Sequence, residues 1–221
     1  MSSIKLTADS GGGTFEIKAP SSGSNARVLT IPDETATLLT SSTNTGKILQ
    51  VVSTVTNGAA SVSLSNVYAN NSSYIYYLTS LTTTLTTTQT NSKILISANI
   101  FGEGSVVDNQ IGFVLSSSIN SGTDTPIDTL RGPAYGDRAR VTTMMSLGNH
   151  TGDNDSTPST TTLSNFEYAP SQASGTSIAI KIGVVAISST GTWYLNRTVF
   201  DGNGAAYEKG SSGVTLMEVA A

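Results

Sequence analysis

The hydrophobic pattern of this 221-residue chain has a period of two over most of its length. Ile94, Ile96, Ala98 and Ile100 hold one parity of the stretch 92–101, Ser97 and Asn99 hold the other, and Ile111, Phe113 and Leu115 repeat the arrangement. Such alternation turns one face of a strand to a core and the other to solvent. The longest run is Ile178, Ile180, Ile182, Val184 and Ala186; Val141, Thr143, Met145 and Leu147 alternate with Arg140, Thr142 and Ser146. Trp193, Leu195, Arg197 and Val199 share a parity, and 214–219 closes the chain. Weaker candidates cover 48–55, 62–67, 74–78 and 163–168. With Gly, Asn, Ser and Pro between them, these segments predict about eight or nine strands, folded as a jelly-roll-like β-sandwich. No apolar i, i+3, i+4, i+7 stretch with a fitting cap predicts a helix. Leu81 and Leu85 lie four apart, but the three β-branched threonines in each gap suit an exposed strand or loop better.

The first 45 residues follow a different plan. Very short apolar segments at 4–6, 15–17 and 28–31 are separated by Gly11-Gly12-Gly13, Pro20-Ser21-Ser22-Gly23 and Pro32-Asp33. Phe15, Ile17, Val28 and Ile31, with Pro20 and Pro32 at the turns, are the candidate attachment residues. A unit so small rarely buries a core by itself, so residues 1–45 are expected to pack against copies of themselves or another partner. The polar stretch 40–46 reads as a linker and separates this module from a head domain at 46–221.

Composition narrows the chemistry. Only 12% of the chain is charged, against about 25% in an average domain, and serine plus threonine make up about 30%. The polar surface is therefore built from hydroxyls. Leu, Ile, Val and Phe together stay above the roughly 20% below which disorder becomes the better reading, and the net charge is only −4. Eleven basic residues provide no stripe for neutralising phosphates, so nucleic acid is not an expected partner. No run approaches the roughly 18 apolar residues of a spanning helix, so no membrane insertion is expected. Met1-Ser2-Ser3-Ile4-Lys5-Leu6 has no basic segment leading into an apolar run, so no export signal is expected, and the absence of cysteine removes disulfide and thiolate chemistry.

Few residues could converge for catalysis. His150, the only histidine, sits between turn residues and reads as a solvated loop side chain. Glu103 with Asp108, Asp124 with Asp128, and Asp153 with Asp155 could supply a glycosidase pair, yet acids in turns have a simpler local explanation. Asp153-Asn154-Asp155 carries oxygen ligands without the glycine and terminal glutamate of a calcium loop. The expectation is a chain with no catalytic residue, no metal and no cofactor. One loop stands apart: Arg131, Tyr135, Asp137, Arg138 and Arg140 share 129–140 with two glycines and a proline. It reads either as a recognition loop, since Tyr and Arg are enriched at binding hot spots, or as a structural crossover whose arginines pair with Asp124, Asp128 or Asp137.

The segment Gly191-Thr-Trp193-Tyr194-Leu195-Asn196-Arg197-Thr198, then Asp201-Gly-Asn203, Tyr207 and Gly210-Ser-Ser-Gly-Val-Thr-Leu-Met-Glu-Val219, resembles the ending of marine phage (cyanophage- and pelagiphage-like) tail fibre or virion structural proteins. Residues 15–33, from Phe15-Glu-Ile-Lys-Ala-Pro20 to Leu29-Thr-Ile-Pro-Asp33, are similar to a recurring module of such fibres. The resemblance implies a homotrimer held to another virion protein, of tail or capsid, by residues 1–45. Its β head would meet a host cell-surface glycan or outer-membrane protein. Trp193, Tyr194, Asn196 and Arg197 would sit on the penultimate strand as core or trimer packing. A capsid decoration protein or head fibre is the alternative, and a polysaccharide-cleaving tailspike the second.

Overall fold

The computed structural model describes residues 3–7, 14–18, 48–105, 111–145, 158–205 and 207–221. The chain divides into two units, Met1–Thr40 and Ser41–Ala221. In the first, β1 (Ser3–Thr7) and β2 (Thr14–Lys18) pair antiparallel, with Ile4 opposite Ile17 and Leu6 opposite Phe15. Phe15 and Ile17 thus lie on β2, whereas Pro20, Val28, Ile31 and Pro32 fall outside the described residues.

The second unit is all-β. Its described strands are β3 (Ile48–Thr56), β4 (Ala60–Leu64), β5 (Tyr76–Tyr77), β6 (Thr83–Thr86), β7 (Lys93–Gly104) and β8 (Ile111–Ile119). After these come β9 (Thr125–Pro126), β10 (Thr143–Met144), β11 (Ser159–Tyr168), β12 (Ser177–Ala186), β13 (Gly191–Leu195) and β14 (Ser212–Val219). Several are collinear pieces of one lane: β3 with β4, β5 with β6, β9 with β10, and β13 with β14 each line up along a common neighbour. Numbered in chain order, the lanes of one sheet run one, eight, three, six, and those of the other two, seven, four, five, all antiparallel. That interleaving of two Greek keys is the jelly roll.

The period-two pattern decides which side chains meet between the sheets. Ile94, Ile96, Ala98 and Ile100 of β7 face Phe113 and Leu115 of β8 and Ile178, Ile180, Ile182 and Val184 of β12 in one apolar cluster. Each fully buried aliphatic side chain of this kind contributes about 1.5–3 kcal/mol. Trp193 is fully buried and meets Phe113 edge to face, ring centroids 5.5 Å apart.

Three expectations are corrected in detail. Of the strand expected over 141–147, residues 146 and 147 lie outside the described residues, and within 141–145 only Thr143–Met144 form β10; the Thr142 hydroxyl accepts the Leu115 N–H at 3.0 Å in place of a ladder partner. The run through Trp193 to Val199 stops at Leu195: Asn196 turns left-handed at φ 58°, so Asn196 and Arg197 are not on the penultimate strand. The threonine-rich stretch forms a 3₁₀ turn at Thr79–Leu81 followed by β6, whose Thr83 and Leu85 are buried rather than exposed.

Lane eight is interrupted by the excursion 197–211, and one amide closes the gap. Asn196 Nδ2 donates to the carbonyls of Thr56 and Gly58, both at 3.0 Å, where lane one breaks between β3 and β4. Asn196 Oδ1 accepts the Ser212 hydroxyl at 2.6 Å, and that hydroxyl accepts the Phe101 N–H at 2.9 Å. Asn196 N–H completes the knot on the Phe101 carbonyl.

At the other end of β14, the Glu218 carboxylate is fully buried. Gln50 Nε2, Thr88 N–H, the Thr88 hydroxyl, Gln89 N–H and the Ser92 hydroxyl all donate to it, at 2.6–3.2 Å. Burial pushes its pKa up, but the bonds from Ser92, Gln50 and Thr88 outweigh that and hold it below the ordinary glutamate value. Glu218→Gln keeps the shape and turns an amide NH₂ toward donors, so it is expected to cost about 3 kcal/mol or more in urea unfolding at pH 7. Because the folded pKa is depressed, the charge stabilises above about pH 4.3, and that stability is lost as pH falls further. The gap between wild type and variant should therefore narrow at pH 3.5, and an unchanged gap would contradict this role.

Candidate functional site

The outer face of the second sheet carries a second apolar cluster, in which Tyr68 and Ile75 pack on Val114 of β8 and Val185 of β12. Ala139, from the loop singled out in the sequence, and Val141 just after it join the cluster. The segment 65–75 comes so close because β12 has Gly183 beneath it: Ile75 occupies the space that a Cβ there would need.

The base of the loop is tied down on both sides. Asp128, in a 3₁₀ turn (Asp128–Leu130), takes Arg131 in a close ion pair and Arg140 at 3.4 Å, both on Oδ1. Arg131 also donates to the Tyr68 hydroxyl at 2.8 Å, and its side chain is only 10% exposed against 71% for Asp128. Arg131 holds the Asp128 carboxyl below the ordinary aspartate range, first by hydrogen bonding and then by charge, with a smaller contribution from Arg140. Arg140 Nε closes the loop's neck on the Gly132 carbonyl at 2.7 Å. Asn70 clamps it from across the chain, donating to the Arg138 carbonyl and accepting the Arg140 N–H, both at 2.8 Å.

Above that base the tip is displayed. Gly136 turns left-handed at φ 52°, which lets the Arg138 N–H reach back to the Tyr135 carbonyl. Tyr135 is 72% exposed, with the Arg138 guanidinium 5.2 Å above its ring. Asp137 is exposed beside them. The five residues named from the sequence therefore separate by geometry: Arg131 and Arg140 turn inward as anchors, while Tyr135, Asp137 and Arg138 face solvent. Tyr68 and Asn70, which complete the anchor, were not singled out, because nothing local marks a residue that acts about 60–70 positions away.

The C-terminal group is brought together around β13. Trp193 is core, Asn196 is the knot described above, and Arg197 lies over the Tyr194 ring at 4.2 Å on the other face. Arg197 also donates to the carbonyls of Thr198 and Val199, and the Val199 N–H donates to buried Glu103 at 2.7 Å. Beyond it Phe200 and Tyr207 meet at 4.9 Å with Phe200 exposed.

The acidic pairs do not converge as bare carboxylates. Asp124 is taken by Lys181 at 2.8 Å and Asp128 by the two arginines. His150, Asp108, Asp153, Asn154 and Asp155 lie outside the described residues. Among the described residues no group of three or more His, Cys, Asp or Glu side chains could hold a metal.

No protein-family model and no curated protein matches the chain. Among solved structures, that of infectious bursal disease virus, Gx strain, superposes with a TM-score of 0.30 at 14% identity, over 95% of this chain and 43% of that one. The chain thus spans under half the length of that protein. A superposition so loose carries no argument, and the jelly roll rests on the lane order alone.

Asp128→Asn tests the anchor. With the carboxylate gone, Arg131 and Arg140 lose their shared partner, and amides 132–139 are expected to exchange hydrogen at least several-fold faster by mass spectrometry. Because Asp128 is mostly exposed, unfolding stability should fall by no more than about 1 kcal/mol. Unchanged exchange in 132–139 would show that Asn70, Tyr68 and the Arg140–Gly132 bond hold the loop without Asp128.

Proposed function

We propose that this chain is a non-enzymatic phage virion protein of the tail-fibre type. It is a homotrimer, attached to the particle by residues 1–45, that adheres to the host surface through its jelly-roll head. The observation that carries the reading is the loop 129–140: a base fixed by Asp128, Asn70 and Tyr68 presents Tyr135 and Arg138 to solvent. A rigid base with an aromatic and a guanidinium at its tip loses little conformational entropy on binding, which is how small contact areas reach useful affinity. The resemblance of 15–33 and 191–219 to marine phage fibre proteins supports the virion assignment.

Two further features favour the reading. Asp124 and Asp128, the one described carboxylate pair close in sequence, are each occupied by a cation, which favours a binder over a tailspike hydrolase. Ile48, Val51 and Val55 of β3 are exposed at the edge of the first sheet, and an apolar edge strand is a surface on which another chain can pack or pair. Three heads on one trimer raise avidity by orders of magnitude over one weak site.

Immunogold labelling of intact particles with an antibody to this chain is expected to mark the tail; label confined to the capsid would overturn the tail-fibre assignment in favour of a decoration protein or head fibre. Light scattering on the full chain should give about three times its 22.8 kDa mass, and a monomer would remove the trimer. Tyr135→Ala with Arg138→Ala is expected to lower binding of fluorescent protein to host cells at least tenfold while leaving the unfolding midpoint unchanged, since both side chains are exposed.

A further inference from the structure

On the flank of the sandwich where lane five faces lane six, the two sheets do not close on each other. An open cleft of about 540 Å³ lies between the β9 region and the end of β11, within the roughly 300–1,000 Å³ typical of small-ligand sites. Its floor is the Ser117 hydroxyl and Ile119 at the end of β8. The Tyr168 ring makes one wall and is fixed by its own hydroxyl, which lies 3.0 Å from the buried Ser117 hydroxyl. The opposite wall brings the side chains of Thr125, Thr129 and Asp128.

These groups offer two kinds of surface, apolar and hydroxyl-bearing, as one small amphipathic ring does. Tyr168, Pro126 and Ile119 are apolar, and an aromatic face takes the C–H side of a sugar. The threonine hydroxyls both donate and accept, as sugar hydroxyls do. Asp128 is the orienting acceptor: both arginines sit on Oδ1, so Oδ2 is left for a ligand, and the depressed pKa keeps it ionised. Asp128 is the one charged residue lining the cleft, and Arg131 and Arg140, which pair with it, do not line it, so an acidic sugar finds no cation among the lining residues and fits less well than a neutral one.

Resting on the adhesion reading above, we propose that this cleft is the subsite for one uncharged pyranose ring of a host-surface glycan. The ring lies against Tyr168 and gives two hydroxyls to Asp128 Oδ2 and the flanking threonines. Asp128 thereby belongs to both the cleft and the loop base, so the sugar and the contacts of Tyr135 fall on adjoining surface.

The test uses the full chain and saturation-transfer NMR with methyl α-D-glucopyranoside, methyl α-D-mannopyranoside, methyl β-D-galactopyranoside and N-acetylglucosamine, with N-acetylneuraminic acid as the charged comparison. At least one neutral sugar is expected to saturate at a Kd on the order of 1 mM, and Thr129→Trp and Thr125→Arg, both at exposed positions, should each weaken it at least tenfold. Tyr135→Ala should leave it unchanged. The inference is overturned if no neutral sugar saturates, if N-acetylneuraminic acid binds more tightly than all of them, or if both plugged variants bind as wild type does. Binding of fluorescent protein to host cells is read in parallel. Adhesion that survives the plugged variants and excess sugar, but is lost when cells are treated with protease, overturns the cleft and leaves adhesion to a protein receptor standing. Sugar binding in the cleft without cell adhesion overturns the adhesion reading instead.

Discussion

A strand that leaves its sheet for the excursion 197–211 and returns must have its cut ends joined, and in this head the Asn196 side chain does so. The amide has two donors and one acceptor and uses all three: the donors bridge the break in lane one, and the acceptor holds Ser212 as lane eight resumes. Without that junction, the Thr56 and Gly58 carbonyls between β3 and β4 would lose their donor, and Ser212 at the start of β14 would lose its tie to the residue that ends β13. With it β13 and β14 act as one lane, and the lane order that defines the jelly roll follows. Trp193 reaches Phe113 in the opposite sheet because β13 is held flush against β7 up to Leu195.

A chain with so few charges has to satisfy buried polar groups by other means. Ser92, Thr88 and Gln50 surround Glu218, Ser212 serves Asn196, and Thr142 serves Leu115 N–H. Hydroxyls suit this work, since each can donate and accept and none carries the desolvation cost of an ion. The fully enclosed Glu218 carboxylate is surrounded by hydrogen-bond donors, and its depressed pKa records that balance. The exposed ion pairs Lys93 with Glu167 and Lys209 with Asp201 are minor by comparison, because solvent and salt screen them.

Much of the sandwich was legible in the sequence because period-two alternation is a direct image of a strand with one buried face. Lys93–Gly104, Ile111–Ile119 and Ser177–Ala186 carry the cleanest alternation and form the centre of the fold. What was not legible depends on pairs far apart in the chain. Asn196 lies in an alternating run and reads as strand, and only the carbonyls of Thr56 and Gly58, some 140 residues away, explain why the chain turns there. The loop 129–140 shows the same limit. Its composition marked it as unusual and left two readings open, and Asp128, Asn70 and Tyr68 decide which arginines serve which purpose.

That division within one loop bears on how a binding surface can be built on a poorly charged head. An arginine placed at the surface is free to sample many rotamers and forfeits that freedom on contact, whereas Arg131 and Arg140 are already ordered against Asp128 and spend theirs in folding. Their ordering fixes the neck of the loop, so the remaining pair, Tyr135 with Arg138 stacked on it, has less to lose when it meets a partner. Asp128 takes both arginines on one oxygen, is mostly exposed, and also lines the cleft. One exposed carboxylate thus joins a fixed loop to an open hollow in the sandwich flank, and both depend on the 3₁₀ turn at Asp128–Leu130 that holds it in place.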